Sequence, residues 1–570
     1  MKTFLGNVAE SMWQRYGIDI SSIRLLVPNA RSRIFFGNEL AGVIDRPAWE
    51  PSFVTVDQLM AEIAGIQRVD GVRALAELYR VYSEYHREDF DHFYHWGEIL
   101  LADFDQIDKY MVDAGRLFSN LGDLKALEEN ISYLNEEQRD VVRRFWLTFG
   151  SKESYSDEKK DFLMIWDTLG DIYRNFRKNL SVSGIGYTGM VHRLAAEKIK
   201  KADAVPLSGR YAVIGFNALT GCEKVLLDYL RDTESADFFW DYDKYYLDDK
   251  EQEAGLFIRE NITRYPQAEY FNPDSDNFTK EKNIVAVSVG SDSLQCKYAS
   301  TFVSEVQAAD GKAGKETAII LTDENLLVPL LYSIPGTVDD INVTMGYPLR
   351  QTVAYSFVER LLKLQARAKS GSAAIEFYHA DVTGILSHPY VISADSPSAS
   401  EINADIIAKS MVYVPADIFS GGLTCAIFRA IAGSGEIIPY IIGILSEVEK
   451  LGFTVDYDNE YFATIAETLT KLGNSVSECG IDISLRTFSS LARRMLQSVR
   501  IPYSGEPLSG LQVMGILETR NLDFENVMIM SMNDDNFPGT PGAGSSFIPY
   551  NLRLAYGLPT PKHHEGVYAY

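Results

Sequence analysis

The sequence predicts an α/β protein with two lobes, each built on a parallel sheet and each interrupted by a large helical insertion. In two separate parts of the chain, segments typical of buried strands alternate with helical segments, which favours parallel strands joined by crossover helices. Between these parts, long stretches carry apolar residues at helical spacing. At 570 residues the chain is also too long for one ordinary core.

The first lobe is predicted to comprise residues 1–70 and 202–280, with residues 71–201 as its helical insertion. Apolar runs bounded by turn residues predict its strands, at Ile23 to Val27, from Ser52 onward, at Arg210 to Phe216 and at Ala236 to Asp243. In the insertion, the segment DFLMIWDTLGDIYRNFRKNL repeats apolar residues every three or four positions, as one face of a helix requires.

The second lobe is predicted to comprise residues 281–350 and 501–570, with residues 351–500 as its helical insertion. The same pattern predicts its strands, at Asn283 to Ser291, Thr317 to Thr322, Ile341 to Gly346, Leu511 to Ile516 and Val527 to Met532.

Composition and charge limit the classes of function. The chain carries 79 acidic and 54 basic residues, a net charge of −25, so it is not a simple polycation and any contact with DNA has to be local. Four cysteines without a CxxC pair indicate buried thiols in a reducing cytoplasm, and predict neither a zinc site nor any other metal site. No apolar run reaches the roughly 18 residues that a membrane span needs, and the N-terminal residues lack a secretory signal, so we expect a cytoplasmic protein without membrane contact.

A polar loop between the last two predicted strands holds the first candidate functional residues, Thr519, Arg520 and Asp523. They can contact DNA or couple the two lobes, or they can satisfy backbone groups and one another in a tight connection. Arg31, Arg33 and Arg350 are candidates for a groove that follows a DNA strand; their alternative is scattered, solvated surface charge.

In LQVMGILETRNLDFENVMIMSMNDDNFP, a strand, a polar loop and a second strand lead to an acidic turn that ends in Phe-Pro. This arrangement is similar to a motif in the second motor domain of UvrD/RecB-type DNA helicases, and several other segments resemble motifs of that family in the same order. IRLLVPNARSRIFF, YAVIGFNALTGCEKVLLDYL and ADFFWDYDKYY resemble first-lobe segments; AIILTDENLLVPLLYSIP and INVTMGYPLRQT resemble the start of the second lobe. The chain most resembles the N-terminal part of AddB-like, PD-(D/E)xK nuclease-associated DNA repair subunits of the Bacteroidetes type.

The resemblance implies two RecA-like lobes and a role in processing DNA double-strand ends for homologous recombination. Members of that family act with ATP and Mg²⁺ in helicase/exonuclease complexes, together with a UvrD- or AddA-like helicase subunit. Full-length AddB-like chains add a C-terminal nuclease domain, so we expect this chain to be truncated at its C-terminal end.

The residues that a motor needs are missing from the expected places. We expect a GxxxxGK[ST] phosphate loop before Ile23, where the sequence reads FLGNVAESMWQRYGIDISS; the Gly-Lys pairs of DGKAGKET lie in the other lobe. At the position of the metal-binding acids the chain has Gly215, Phe216 and Asn217. DYDKYYLDDKE, the nearest candidate for an internal nuclease motif, is more typical of a solvated loop.

We therefore expect a degenerate motor that binds no nucleotide or metal of its own. Its predicted role is to hold single-stranded DNA ends and to dock the motor-active partner subunit. The alternative is an acidic scaffold for protein–protein interaction that never contacts DNA.

Overall fold

A computed structural model describes residues 2–29, 31–119, 157–201, 207–311, 313–370, 375–419, 421–452, 457–502, 509–539, 546–548, 550–560 and 563. The chain forms two compact units. The first unit contains Met1–Asp70, Glu98–Met345 and Ser504–Tyr570, and the second contains Gly71–Gly97 and Gly346–Tyr503.

The described helices are α1 Phe4–Tyr16, α2 Arg31–Val43, α3 Val56–Ala64, α4 Gly71–Tyr82, α5 Phe90–Lys109, α6 Ala114–Ser119, α7 Asp157–Val182, α8 Thr188–Lys200, α9 Gly221–Asp232, α10 Lys244–Asp248, α11 Leu256–Arg264, α12 Asp292–Asp310, α13 Leu327–Leu331, α14 Val353–Ala366, α15 His379–Leu386, α16 Pro389–Ala408, α17 Gly422–Ile427, α18 Ile437–Lys450, α19 Asp458–Glu478, α20 Leu485–Ser498 and α21 Tyr550–Ala555. The described strands are β1 Ile23–Val27, β2 Ser52–Thr55, β3 Gln67–Arg68, β4 Ile185–Gly186, β5 Arg210–Ile214, β6 Ala236–Phe239, β7 Thr317–Leu321, β8 Ile341–Val343, β9 Tyr347–Pro348, β10 Lys369–Ser370, β11 Ile375–Tyr378, β12 Tyr413–Pro415, β13 Arg500–Ile501, β14 Leu511–Gly515 and β15 Asn526–Met530.

The first unit contains two four-stranded parallel sheets, which confirms the predicted α/β class. The N-terminal sheet has the order β2-β1-β5-β6, and the C-terminal sheet has the order β15-β7-β14-β8. Every residue of β7 and of β14 is buried. Such continuous burial is typical of parallel strands that are covered on both faces.

The second unit is mainly helical, with short antiparallel pairings between β9 and β13 and among β10, β11 and β12. Helix α4 packs against α19, so residues 71–97 group with residues 346–503. The described residues 98–119 and 157–201, which the sequence analysis placed in one insertion with residues 71–97, group with the two sheets.

One predicted strand is wrong. Residues 283–291 form no strand and pair with no strand of the described chain, and almost all of their side chains are exposed. The pattern identified a sequence suited to a strand, but it carries no information on whether a neighbouring strand is available. The last two strands were predicted at about the right places, but they are not neighbours, because β7 lies between them.

None of the helices in the described part of the chain has both the length and the apolar character that a membrane span requires.

A buried charge network ties the helices next to the N-terminal sheet together. The Asp108 side chain is fully buried and accepts hydrogen bonds from the hydroxyls of Tyr173 and Tyr187. Arg193 Nη1 lies 3.4 Å from Asp108 Oδ1 and donates to the Val112 carbonyl at 2.7 Å, and Arg177 Nε lies 3.7 Å from Asp108 Oδ2. The buried Asp108 carboxylate therefore pairs with two half-buried arginines, which also lie 3.9 Å (Arg177) and 3.0 Å (Arg193) from Glu197 Oε1.

We predict that Asp108→Ala lowers the free energy of unfolding by about 3–5 kcal/mol, because the hydroxyls of Tyr173 and Tyr187 lose their buried acceptor and both arginines lose their buried counter-ion, with only Glu197 among the described residues left to pair with them. Urea denaturation followed by circular dichroism measures this loss. Asp171→Ala is the matched control, since Asp171 pairs with Arg174 at the surface, and its expected effect is within about 0.5 kcal/mol. Equal losses in the two variants would contradict the assigned role of Asp108.

Candidate functional site

The candidate site is the crevice at the carboxyl ends of β1 and β5. In the N-terminal sheet β2 lies on one side of β1 and β6 lies on the far side of β5, so the strand order reverses between the two central strands. Open parallel sheets bind their ligands outside the carboxyl ends of the strands at such a point. The crevice therefore occupies the place where a nucleotide would be expected.

The turn from β1 to α2 offers no phosphate loop. Phosphate-binding loops connect a strand to the helix that follows it, so the expected position before Ile23 was wrong; that region forms α1. Only residues 28–30 separate β1 from α2. Asn29 Oδ1 accepts from the Ser32 amide and the Ser32 hydroxyl, each at 3.0 Å, so the chain itself satisfies donors at the start of the helix.

The Gly-Lys pairs of the other lobe lie in the wrong context as well. Gly311 ends α12 in a left-handed conformation, with φ of +81°, and β7 follows. A phosphate loop has the reverse order, with the strand first and the helix after it. Lys312 lies outside the described residues.

At the carboxyl end of β5, Gly215 permits a close approach of the C-terminal sheet's own chain. Gly215 has φ of +67°, and a Cβ at this position would lie 2.2 Å from Nδ2 of Asn521. Phe216 is buried in the apolar core beside the sheet. Asn217 is buried, and its carbonyl accepts from Asn261 Nδ2 at 2.6 Å.

Residues 516–525, which we call the connector, run from the end of β14 to the start of β15. The connector begins with the 3-10 turn Ile516–Glu518 and ends where the Glu525 amide donates to the Glu316 carbonyl at 2.9 Å. Ile516, Leu522 and Phe524 pack on a buried patch of the C-terminal sheet. Leu522 also packs against the core formed by α1, α2 and the N-terminal sheet. The connector is thus the joint between the two sheets.

Hydrogen bonds fix the connector on both sides. Asp523 Oδ2 accepts from the Phe4 amide at 2.7 Å, which ties the connector to the start of α1. Glu518 Oε2 accepts from the Gly515 amide at 3.3 Å and from the Thr344 hydroxyl. Arg31 donates to the Thr344 carbonyl at 3.3 Å, so α2 is tied to the C-terminal sheet.

Two carboxylates in the crevice oppose each other. Asp241 follows β6, and burial together with the nearby Asp523 carboxylate raises its pKa to about 7. Burial also raises the pKa of Asp523, although the Phe4 amide partly offsets this effect and part of the residue remains exposed. At neutral pH this crevice resists additional negative charge, such as a phosphate group.

The remaining candidate residues differ in their exposure and in their hydrogen-bond or ion-pair partners. Thr519 Oγ1 donates to the Ile516 carbonyl at 2.8 Å, so it closes the turn of the connector. Arg33 is exposed, pairs with Glu50 at 3.3 Å and lies over the Phe53 ring. Arg350 is exposed and lies in the second unit. Arg520 is half-buried and has no hydrogen bond or ion pair with any described residue.

Sequence reasoning missed Asn521, Leu522 and Phe4, and it assigned Asp241 to a solvated loop, whereas the structure half-buries this residue. Asn521 has φ of +62° and is buried, and neither amide atom of its side chain has a partner among the described residues. An asparagine in a polar loop is a weak signal for this left-handed conformation. No local pattern relates Phe4 to Asp523, because 519 positions separate them.

Two kinds of comparison with known proteins leave the family open. No protein-family model matches the chain, and no curated protein matches it significantly. Among the described residues, no three His, Cys, Asp or Glu side chains are placed to hold a metal ion. A function for this crevice therefore has to be argued from its geometry.

We predict that Gly215→Ala destabilises the joint more than Gly209→Ala does. Both glycines have positive φ, so both variants carry the same left-handed strain, but a Cβ at residue 209 meets nothing closer than 3.9 Å. In Gly215→Ala, the clash with Asn521 lowers the free energy of unfolding by roughly 1–3 kcal/mol more than in Gly209→Ala. Thermal unfolding of both variants measures the difference, and Asn521→Gly is expected to relieve the added loss. Equal losses would show that Asn521 does not lie on Gly215.

We predict that the joint loses stability as pH rises from about 4 to about 7. The folded-state pKa of Asp241 lies above the unfolded value, so between these two pH values the folded state binds more protons than the unfolded state. The free energy of unfolding therefore falls as pH rises over this range. Asp241→Asn removes this titration, so at pH 8 the free energy of unfolding of the variant exceeds that of the unaltered chain by about 1–3 kcal/mol. Urea unfolding at several pH values tests this. Asp248→Asn, an exposed control, leaves the slope unchanged.

Proposed function

We propose that the chain is a nucleotide-independent, helicase-like subunit that supports a DNA-end-processing complex. In this proposal the two parallel sheets are RecA-like lobes of a degenerate motor. The single observation that carries it is the connector, which packs into the crevice where a RecA-like lobe would hold nucleotide. A rigid body of this kind is suited to hold DNA and a motor-active partner, while ATP turnover belongs to the partner.

The local chemistry supports the absence of turnover. Three residues between β1 and α2 are too few to surround a phosphate, and Asn29 already caps the helix. Asn217 stands where a carboxylate would hold magnesium, and its carbonyl is engaged by Asn261. The pKa of Asp241 is raised first by burial and second by the nearby Asp523 carboxylate, and both causes also oppose the binding of a phosphate at this place.

A second candidate function is an acidic protein-binding scaffold that does not contact DNA. Two residues that were predicted to contact DNA have partners within the chain, because Arg31 donates to the Thr344 carbonyl and Arg33 pairs with Glu50. These contacts favour the scaffold. A net charge of −25 favours the same function. Arg520, which has no such partner within the described chain, distinguishes the two candidates.

We predict that the chain binds single-stranded DNA weakly and that Arg520→Ala reduces the affinity about three- to ten-fold. Removing one phosphate contact also lowers the salt dependence of binding, because fewer counter-ions are released. Fluorescence anisotropy with a labelled oligonucleotide at several salt concentrations measures both effects. Arg33→Ala is the control, because its guanidinium is already paired with Glu50. No binding at low salt would favour the scaffold.

The partner role is tested by mixing the chain with a UvrD-like helicase subunit and DNA that carries a single-stranded end. The proposal predicts a complex in size-exclusion chromatography, whose ATP hydrolysis is abolished by changing the phosphate-loop lysine of the partner. The chain alone is expected to hydrolyse no ATP above background with DNA present. Turnover by the chain alone that one of its own substitutions abolishes would overturn the proposal.

A further inference from the structure

Residues 283–291 have the sequence of a strand but pair with no strand of the described chain. NIVAVSVGS is rich in β-branched residues, and Ile284, Val285 and Val287 are 83%, 69% and 47% exposed. A continuous apolar run of this kind is typical of a strand inside a parallel sheet. Leaving it in solvent forfeits the burial of several large side chains.

Among the described strands, the C-terminal sheet has an open edge at β15 whose exposed side chains are apolar, like those of residues 283–291. Strand β15 pairs with β7 and with no other described strand, so one side of its backbone has no ladder partner. Its side chains Val527 and Ile529 are 43% and 45% exposed, whereas Met528 and Met530 pack into the core. An unprotected apolar edge is a site for addition of a strand.

Helix α12 brings the two features together. The Ser291 hydroxyl accepts from the Leu294 amide and caps this helix, so the exposed segment leads directly into it. One turn later, Gln295 Oε1 accepts from the Ser531 amide at 2.9 Å, just beyond the carboxyl end of β15. At the other end of the helix, Asp310 accepts from Asn526 Nδ2 at 3.1 Å. The helix thus runs antiparallel to β15.

We propose that residues 284–289 dock along the open edge of β15, as a fifth parallel strand of the C-terminal sheet. A strand that ends near Ser531 and enters an antiparallel helix has the direction of a β-α-β unit with β7. Seven extended residues before Ser291 span about 23 Å, enough to follow the five residues of β15. In the register that places Val285 and Val287 beside Val527 and Ile529, one apolar face becomes continuous.

The occupant is this chain's own segment rather than a second copy. Its tether to α12 places it close to the edge, which corresponds to a millimolar effective concentration for a short linker. The other end is anchored near the N-terminal sheet, because Asp243 accepts from the amides of Asn277 and Phe278 at 2.7 and 2.8 Å. Docking therefore shortens the free link between the two sheets, independently of the function proposed above.

A cysteine pair tests the docking. The background is a chain in which the exposed Cys425 is replaced by serine, since the other three cysteines are buried. Val287→Cys and Ile529→Cys are combined in this background, and the protein is mildly oxidised. The expected result is a cross-link within one chain, identified by peptide mass. The matched control combines Val287→Cys with Ile341→Cys, which lies on β8 at the opposite edge of the sheet and is 37% exposed. This pair is expected to yield no cross-link.

Hydrogen exchange on the unaltered chain supplies a second readout. Amides of residues 284–289 are expected to exchange at least ten-fold more slowly than in an unstructured peptide. Val287→Asp is expected to return them to the free rate, because docking would bury a carboxylate beside Ile529. Any one of four results would overturn the proposal. Residues 284–289 of the unaltered chain could exchange as fast as a free peptide, or the two cysteine pairs could cross-link equally. The Val287→Cys and Ile529→Cys pair could also form no cross-link within a chain, or one that joins two chains.

Discussion

Leu522 is held between two hydrophobic cores, and the arrangement of the first unit depends on this contact. One side of the residue faces the C-terminal sheet, and the other faces the core of α1, α2 and the N-terminal sheet. The residue lies in the crossover from β14 to β15, which contains no α-helix in the structure. A short connection without a helix leaves room for the second sheet to approach closely. The connector therefore serves both as a crossover and as the packing layer between the sheets.

The polar groups around Leu522 follow from this packing. Where the connector packs between the sheets, its polar groups need partners, and they find them in the Phe4 amide, in Thr344 and in the turn of Thr519. Not all groups are satisfied. The side-chain amide of Asn521 has no partner among the described residues. A separate cost arises where Asp241 lies near Asp523, because two negative charges are unfavourable there. Such local costs are tolerated because the apolar contacts on both sides fix the chain path.

Much of the fold could be predicted from the sequence, because β1, β5, β7 and β14 are short apolar runs that helices separate. Buried parallel strands leave that signal whatever their neighbours are. The order of the strands could not be predicted, since it depends on contacts between residues far apart in the chain. For the same reason residues 283–291 were assigned to a strand although no described strand pairs with them.

The candidate site was predictable in part. The loop from Glu518 to Asp523 stood out because it is polar between two apolar strands, and coupling of the lobes was one of its two functional interpretations. Its decisive residue is the apolar Leu522, which a search for charged side chains passes over. The resemblance to helicases predicted that Gly215 and Asn217 replace motor residues, but the close approach of Asn521 to Gly215 required the structure.

The most direct test of the joint is the distance between spin labels on the two sheets, measured by pulsed electron paramagnetic resonance. Labels at Ala41→Cys on α2 and Ser304→Cys on α12, in the Cys425→Ser background, report on the N-terminal and C-terminal sheets; both positions are exposed. A connector that fills the crevice and fixes the sheets predicts one narrow distance distribution that Mg²⁺ and ATP leave unchanged. A broad distribution, or a distance that shifts when nucleotide is added, would contradict the account.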